Sequence, residues 1–255
     1  KIRGRRPEDD YIYLGDSARC PYGPRSFEVV YEFTLQAVSK LFELGCPLVI
    51  LACNTASAKA LRTIQQINLP VIDATRRVLG VIRPTAECIG EITRSRHVGI
   101  LATAGTIKSE SYLLEIHKLS PDIVVTGEAC PMWVSLVENN EYQSEGADYF
   151  VKQHINRLLD KDPMIDTIIL GCTHYPLLLD KIRQFTPGHI RIIAQGEYVA
   201  RSLQDYLNRH PEMDARCEKG GKCRFLTTES ENKFEESASI FLGRQDIKVE
   251  SIALE

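Results

Sequence analysis

Residues 48–57 read Leu48-Val49-Ile50-Leu51-Ala52-Cys53-Asn54-Thr55-Ala56-Ser57. An unbroken apolar run of five gives way, across a cysteine and two hydrogen-bonding residues, to a helix-like pattern at 55–67. The short run predicts a strand covered on both faces, because a strand with one wet face would alternate apolar and polar residues. Thr55 and Ser57 stand where a helix start wants side-chain oxygens. The chain repeats the device at 167–174, "TIILGCTH": strand, small residue, Cys172, polar residue, helix.

Working outward, further short runs predict strands at 11–14, 98–102, 123–126, 190–194 and 224–228. Between them lie amphipathic segments that predict helices at 26–44, 106–119, 146–159, 176–185, 197–208 and 230–242. Strand and helix alternating in this way implies α/β architecture, with parallel sheets covered by helices on both faces. A loose motif-level repeat places one strand-Cys-helix unit in each half. Gly and Pro in 80–90, "GVIRPTAECIG", and the turn 194–197, "AQGE", are read as crossovers. They divide the chain into 1–87 plus 195–255, carrying Cys53, and 88–194, carrying Cys172. The polar tract 209–223 reads as an exposed loop, and the basic start "KIRGRR" as a solvated helix end.

The 255 residues are 44% hydrophobic and 25% charged, with a formal net charge of −3. Such a balance gives no electrostatic case for nucleic acid or an anionic membrane as partner. No run approaches the roughly 20 apolar residues of a membrane span, and no signal-like segment opens the sequence. A cytoplasmic protein is expected. Its eight cysteines, at 20, 46, 53, 88, 130, 172, 217 and 223, show no CxxC and no zinc-like spacing with histidine, so no metal is expected. Cys20, Cys46, Cys88 and Cys130 read as packing residues, and Cys217 and Cys223 as surface thiols.

Ligands of open parallel sheets bind beyond the carboxyl ends of the strands. Cys53 and Cys172 both fall there, followed by Asn54 and Thr55 in one case and Thr173 and His174 in the other. Taken alone, a cysteine at such a turn is most simply a small residue that lets backbones pack. Two in equivalent places suggest chemistry, and a helix start beyond each favours its thiolate. His174, two residues after Cys172, is a proton partner or a substrate clamp. The loop 15–23, "GDSARCPYG", with Asp16, Ser17, Arg19 and backbone N–H groups near Gly23, forms a further wall. Two thiols facing across a cleft can remove a proton from one face of a carbon and deliver one to the other, inverting a stereocentre. No phosphate-cradling glycine loop is present, and the reaction requires no cofactor.

The stretches "GDSARCPYG", "VILACNTASA", "ACPMWVSLVE" and "IILGCTHYPLL", in this order, resemble the cofactor-independent aspartate/glutamate racemase family over nearly the whole chain, and "SARCPYG" resembles its glutamate branch. The tail "FLTTESENKFEESASIFLG" is similar to that family's C-terminal segment. The resemblance implies two doubly wound, flavodoxin-like α/β domains related by pseudo-twofold symmetry, a cleft between them, and interconversion of L- and D-glutamate for peptidoglycan. It implies Cys53 acting on the D-enantiomer and Cys172 on the L-enantiomer. Tyr22, Gly23, Asn54, Thr55, Thr106, Thr173 and His174 match substrate-binding positions, and Glu138 matches a carboxylate assisting Cys172. It further implies glutamate as ligand, a possible homodimer, and a strand with an Asp-Ser loop ahead of Lys1. Racemisation of aspartate or another small acid, or a non-catalytic relative if that loop is lacking, are the alternatives.

Overall fold

The computed structural model describes residues 1–242 and 247–254. Residues 243–246 and Glu255, which fall in the expected unit 195–255, lie outside the described residues. The strands are β1 (Tyr11–Gly15), β2 (Leu48–Leu51), β3 (Arg77–Gly80), β4 (His97–Ala102), β5 (Val124–Ala129), β6 (Thr167–Gly171), β7 (Arg191–Ala194), β8 (Cys223–Thr227) and β9 (Val249–Ser251). The helices of the first part are α1 (Ile2–Arg5), α2 (Phe27–Glu43), α3 (Asn54–Lys59), α4 (Leu61–Thr63), α5 (Leu69–Ile72) and α6 (Ile82–Ile92). Then come α7 (Ala104–Lys108), α8 (Ser111–Leu119), α9 (Trp133–Glu138), α10 (Glu145–Lys161), α11 (Leu179–Phe185), α12 (Gly196–Arg209), α13 (Pro211–Asp214) and α14 (Glu231–Leu242).

All strand pairings among the described residues are parallel. One sheet runs β5-β4-β6-β7, and the remaining strands form β1-β8-β9 and β2-β3. In the four-stranded sheet every residue of β6 is buried, as its unbroken apolar sequence requires. Above and below lie two apolar layers, one built on α10 and α11 with Trp133 and Tyr175, the other on α6 and α8. Each large side chain so buried contributes about 1.5–3 kcal/mol. Long helices form where caps and periodicity agree. Ser26 accepts the N–H of Val29, and Val30, Thr34, Val38 and Phe42 make a buried stripe along α2. Ser144 caps α10 in the same way through the N–H of Ala147.

The strands around Cys53 fall in two sheets, β1-β8-β9 and β2-β3, and a cavity of about 1040 Å³ lies between β2 and β8, lined by Ile50, Ala52, Cys223 and Phe225 among others. Several expectations about single segments need correction. The helix expected over 55–67 is broken into α3, α4 and a π-type turn at Ile64–Asn68 before α5. The one expected over 106–119 is split into α7 and α8 by Glu110, whose φ is +55°. The crossover stretch 80–90 is the end of β3 followed by α6. The basic start is not simply solvated: Arg6 is buried against Asp9 and also pairs with Asp214. Lys219 joins the same two carboxylates. The tract 209–223, expected as an exposed loop, is largely exposed but contains α13 and takes part in this network through Asp214 and Lys219. Burial alone would raise the Asp9 carboxyl, but Arg6 and Lys219 outweigh it and hold it below its usual range.

Candidate active site

Cys53 follows β2 and Cys172 follows β6, so both stand at carboxyl ends of parallel strands. Each lies at a point where the backbone turns away from the sheet into a helix. Ala52, Cys172 and Thr173 open on the large cavity. The two sulfurs are close enough that charge on Cys53 raises the Cys172 thiol. Burial is the larger influence there and pushes Cys172 up to about 12, against the N–H groups of His174 and Tyr175. Burial also raises Cys53, opposed by the N–H groups of Ala56 and Thr55 and by the Thr55 hydroxyl. The helix starts were expected to favour thiolates. Both groups instead rest as thiols, because desolvating a thiolate costs more than these N–H groups return.

A proton partner is present on the Cys172 side. Cys172 Sγ lies 3.7 Å from His174 Nδ1, and His174 Nε2 lies 2.5 Å from Glu138 Oε1. The Glu138 carboxyl is lowered chiefly by this hydrogen bond, with burial opposing, so it is ionised at neutral pH. An ionised Glu138 can only accept, so Nε2 carries the ring proton. Nδ1 then faces the Cys172 thiol as an acceptor. The line Cys172–His174–Glu138 joins the turn after β6 to the end of α9, a helix that sequence periodicity did not predict.

Around Cys53 the arrangement is one of donors. Asn54 and Thr55 are almost wholly buried. The hydroxyls of Thr55, Thr103 and Thr106 form a triangle with sides of 2.9, 3.1 and 3.3 Å. Tyr112 donates its hydroxyl proton to Asn54 Oδ1 at 2.7 Å and accepts from Gln195 Nε2 at 2.5 Å. This fixes the Asn54 amide with its oxygen occupied, and its buried Nδ2 has no partner. A buried amide donor without an acceptor is costly, and an anionic ligand would relieve it.

The loop after β1 packs on the start of α7. Gly23 O accepts the N–H of Gly105, and a Cβ at Gly23 would meet Thr103 Cβ at 2.8 Å, so the loop packs directly on the start of α7. Tyr22 donates its hydroxyl to Asp16, which also takes Arg19 and the Thr228 hydroxyl at 2.9 Å. Its phenol is therefore committed within the loop, leaving ring and backbone for a ligand. Thr173 is exposed at the rim. Sequence reading missed Thr103, Tyr112 and Gln195. Thr103 follows β4 at the edge where Cys53 follows β2, which was a signal available in the sequence. Tyr112 and Gln195 carried none. Cys20, expected as a packing residue, lies instead beside Glu138 and His174.

Comparison with known proteins gives the family. The model of the Asp/Glu/Hydantoin racemase family matches residues 1–203. A glutamate racemase of Bacillus cereus is 38% identical over 250 residues, 98% of this chain and 89% of that protein. One of Listeria monocytogenes is 39% identical over 249 residues, 97% of this chain and 90% of that protein. The structure of glutamate racemase isoform RacE1 of Bacillus anthracis superposes with a TM-score of 0.89 at 34% identity, covering 99% of this chain and 91% of that one. The glutamate racemase of Francisella tularensis, solved in complex with D-glutamate, superposes with a TM-score of 0.86 at 28% identity, covering 100% and 91%. With two strand-end cysteines, their polar neighbours and these relatives in agreement, the chain belongs to the Asp/Glu/Hydantoin racemase family.

Proposed function

We propose that the protein interconverts L- and D-glutamate by passing the α-proton between two thiols, without a cofactor, and so supplies D-glutamate for peptidoglycan in the cytoplasm. The observation that carries this reading is the placement of Cys53 and Cys172 at the ends of strands in separate sheets, close enough to interact electrostatically. The units 1–87 plus 195–255 and 88–194 then act as the two walls of the site. Acting on L-glutamate, Cys172 gives its proton to His174 Nδ1, and Glu138 steadies the imidazolium. The thiolate takes the α-proton as the C–H bond breaks. The Cys53 thiol delivers a proton to the opposite face and becomes a thiolate; the proton held by His174 then passes to solvent and solvent returns one to Cys53, which restores both thiols, and the reverse sequence serves D-glutamate. One C–H bond is broken and one made, with no net redox change. Two positioned acid/base groups of this kind are typically worth about 10²–10⁴ each in rate.

Substrate carboxylates would be held by Asn54 Nδ2, by the hydroxyls of Thr55 and Thr106, by Thr173 and His174, and by the Tyr22–Gly23 backbone. These donors suit the extra negative charge of the carbanionic transition state. The test is α-proton exchange in deuterated water, read by mass spectrometry from each enantiomer, for the parent protein and for Cys53→Ser and Cys172→Ser. The parent should label glutamate, and each variant should lose racemisation. Unchanged exchange in both variants would sink the two-thiol reading.

A further inference from the structure

Cys20, Glu138 and His174 come from three distant parts of the chain: the loop after β1, the end of α9 and the turn after β6. Their ligand atoms nevertheless all lie within 4.8 Å of one another. We propose that this cluster is an inhibitory site for a soft divalent cation of the zinc class, held by the Cys20 sulfur, a His174 ring nitrogen and a Glu138 carboxylate oxygen.

The donor set suits zinc, which takes thiolate, imidazole and carboxylate in tetrahedral geometry at about 2.0–2.3 Å. Tetrahedral donors at those distances are about 3.3–3.8 Å apart. A present spread of at most 4.8 Å therefore needs closure of about an ångström. Glu138 can supply it, because its side chain is 42% exposed and free to change rotamer. Water would complete the tetrahedral set, as it does where zinc has three protein ligands. Glu138 supplies the negative charge a dication needs, and Cys20 beside it is only partly buried. On binding, the Cys20 S–H bond breaks, its proton leaves to solvent, and a sulfur–metal bond forms. Glu138 and His174 give up their mutual hydrogen bond to the metal.

Inhibition follows because the metal takes from Cys172 the imidazole and carboxylate that would receive its proton. That consequence rests on the racemase reading, whereas metal binding itself does not. Cys20 has no part in the proposed proton transfer, so it can be replaced without removing the reaction.

The experiment titrates the full chain, kept reduced with a phosphine, with Co²⁺ as a spectroscopic stand-in for Zn²⁺. The expected result is one equivalent bound with a thiolate-to-cobalt charge-transfer band, displaced by Zn²⁺. Cys20→Ser should weaken binding at least tenfold and relieve zinc inhibition, and Cys46→Ser should change neither. A readout free of variants accompanies it: Zn²⁺ should slow alkylation of Cys20, mapped by mass spectrometry, at least tenfold. No charge-transfer band, a band unaltered in Cys20→Ser, or alkylation of Cys20 untouched by zinc would each overturn the site. Zinc binding with undiminished racemisation would overturn its inhibitory role. Absence of racemisation in the metal-free parent would count against the racemase reading and leave the binding result standing.

Discussion

Replacing Glu138 by Gln tests the Cys172 proton path without changing its shape. The amide oxygen can still accept from His174 Nε2, so the 2.5 Å contact is preserved as a neutral hydrogen bond. What is lost is the charge that stabilises an imidazolium when Cys172 gives up its proton. A hydrogen bond to a charged group contributes about 1.5–3 kcal/mol and a neutral one about 0.5–1.5. The Glu138 side chain is 42% exposed, and solvent screening argues for the lower part of the difference, about 1 kcal/mol. That corresponds to roughly a fivefold fall in kcat/KM. Enantiomers have equal free energy, so the fall must be the same in both directions. The informative assay is therefore the α-deuterium isotope effect on kcat/KM. From L-glutamate, the Cys172 step comes first and becomes more rate-limiting, so the isotope effect should rise. From D-glutamate, the impaired step comes second, so the isotope effect should fall. Isotope effects that move together, or a variant indistinguishable from the parent, would refute the assignment of His174 and Glu138 to Cys172.

Other outcomes follow from the same geometry. Tyr112→Phe should leave Asn54 free to turn its amide, costing about 1–2 kcal/mol or roughly 5–30-fold in kcat/KM. Gln195 would keep Val81 O and Thr85 Oγ1 as partners, so the melting temperature should move little, and a large drop in stability with unchanged KM would contradict the role. Gly23→Ala should force the loop off Thr103 and break the Gly105 N–H to Gly23 O bond. The expected result is a tenfold or greater rise in KM for glutamate, measured by polarimetry. Asp166 accepts the Thr93 and Thr167 hydroxyls and the N–H groups of Arg94 and Ser95, all at 2.7–2.8 Å. Burial opposes these bonds but does not outweigh them, and the carboxyl is held well below its usual range. A depressed carboxyl contributes stability in full above its unfolded pKa of about 3.9 and loses it as pH falls toward the folded value. Asp166→Asn should therefore lower stability by about 1–3 kcal/mol at pH 7, with the gap to the parent persisting to pH 4 and shrinking only below it, as read by denaturant titration.

What could be read from the sequence, and what could not, divides by the distance over which the physics acts. Strands β4 and β6 were legible because burial on both faces writes itself as a local apolar run; β2 carries the same kind of run, although only Val49 and Leu51 are buried in it. Strand β3, "RVLG", is short and opens with an exposed Arg77, so it leaves no such run. Strand β9 has one buried residue in three. The breaks at 60–64 and at Glu110 fall inside stretches whose apolar spacing stays helical, so the pattern read straight through them. The same division holds in the site. Cys53 with Asn54 and Thr55, and Cys172 with His174, are neighbours in sequence and could be proposed as units. The amide orientation of Asn54 depends on Tyr112 and Gln195, 58 and 141 positions further along the chain, and no spacing rule reaches them. Cys20 shows the division most sharply. A search for metal-like spacing compares residues a few positions apart, and by that measure its partners do not exist. Glu138 and His174 lie 118 and 154 positions beyond it, and only the tertiary fold brings the three together.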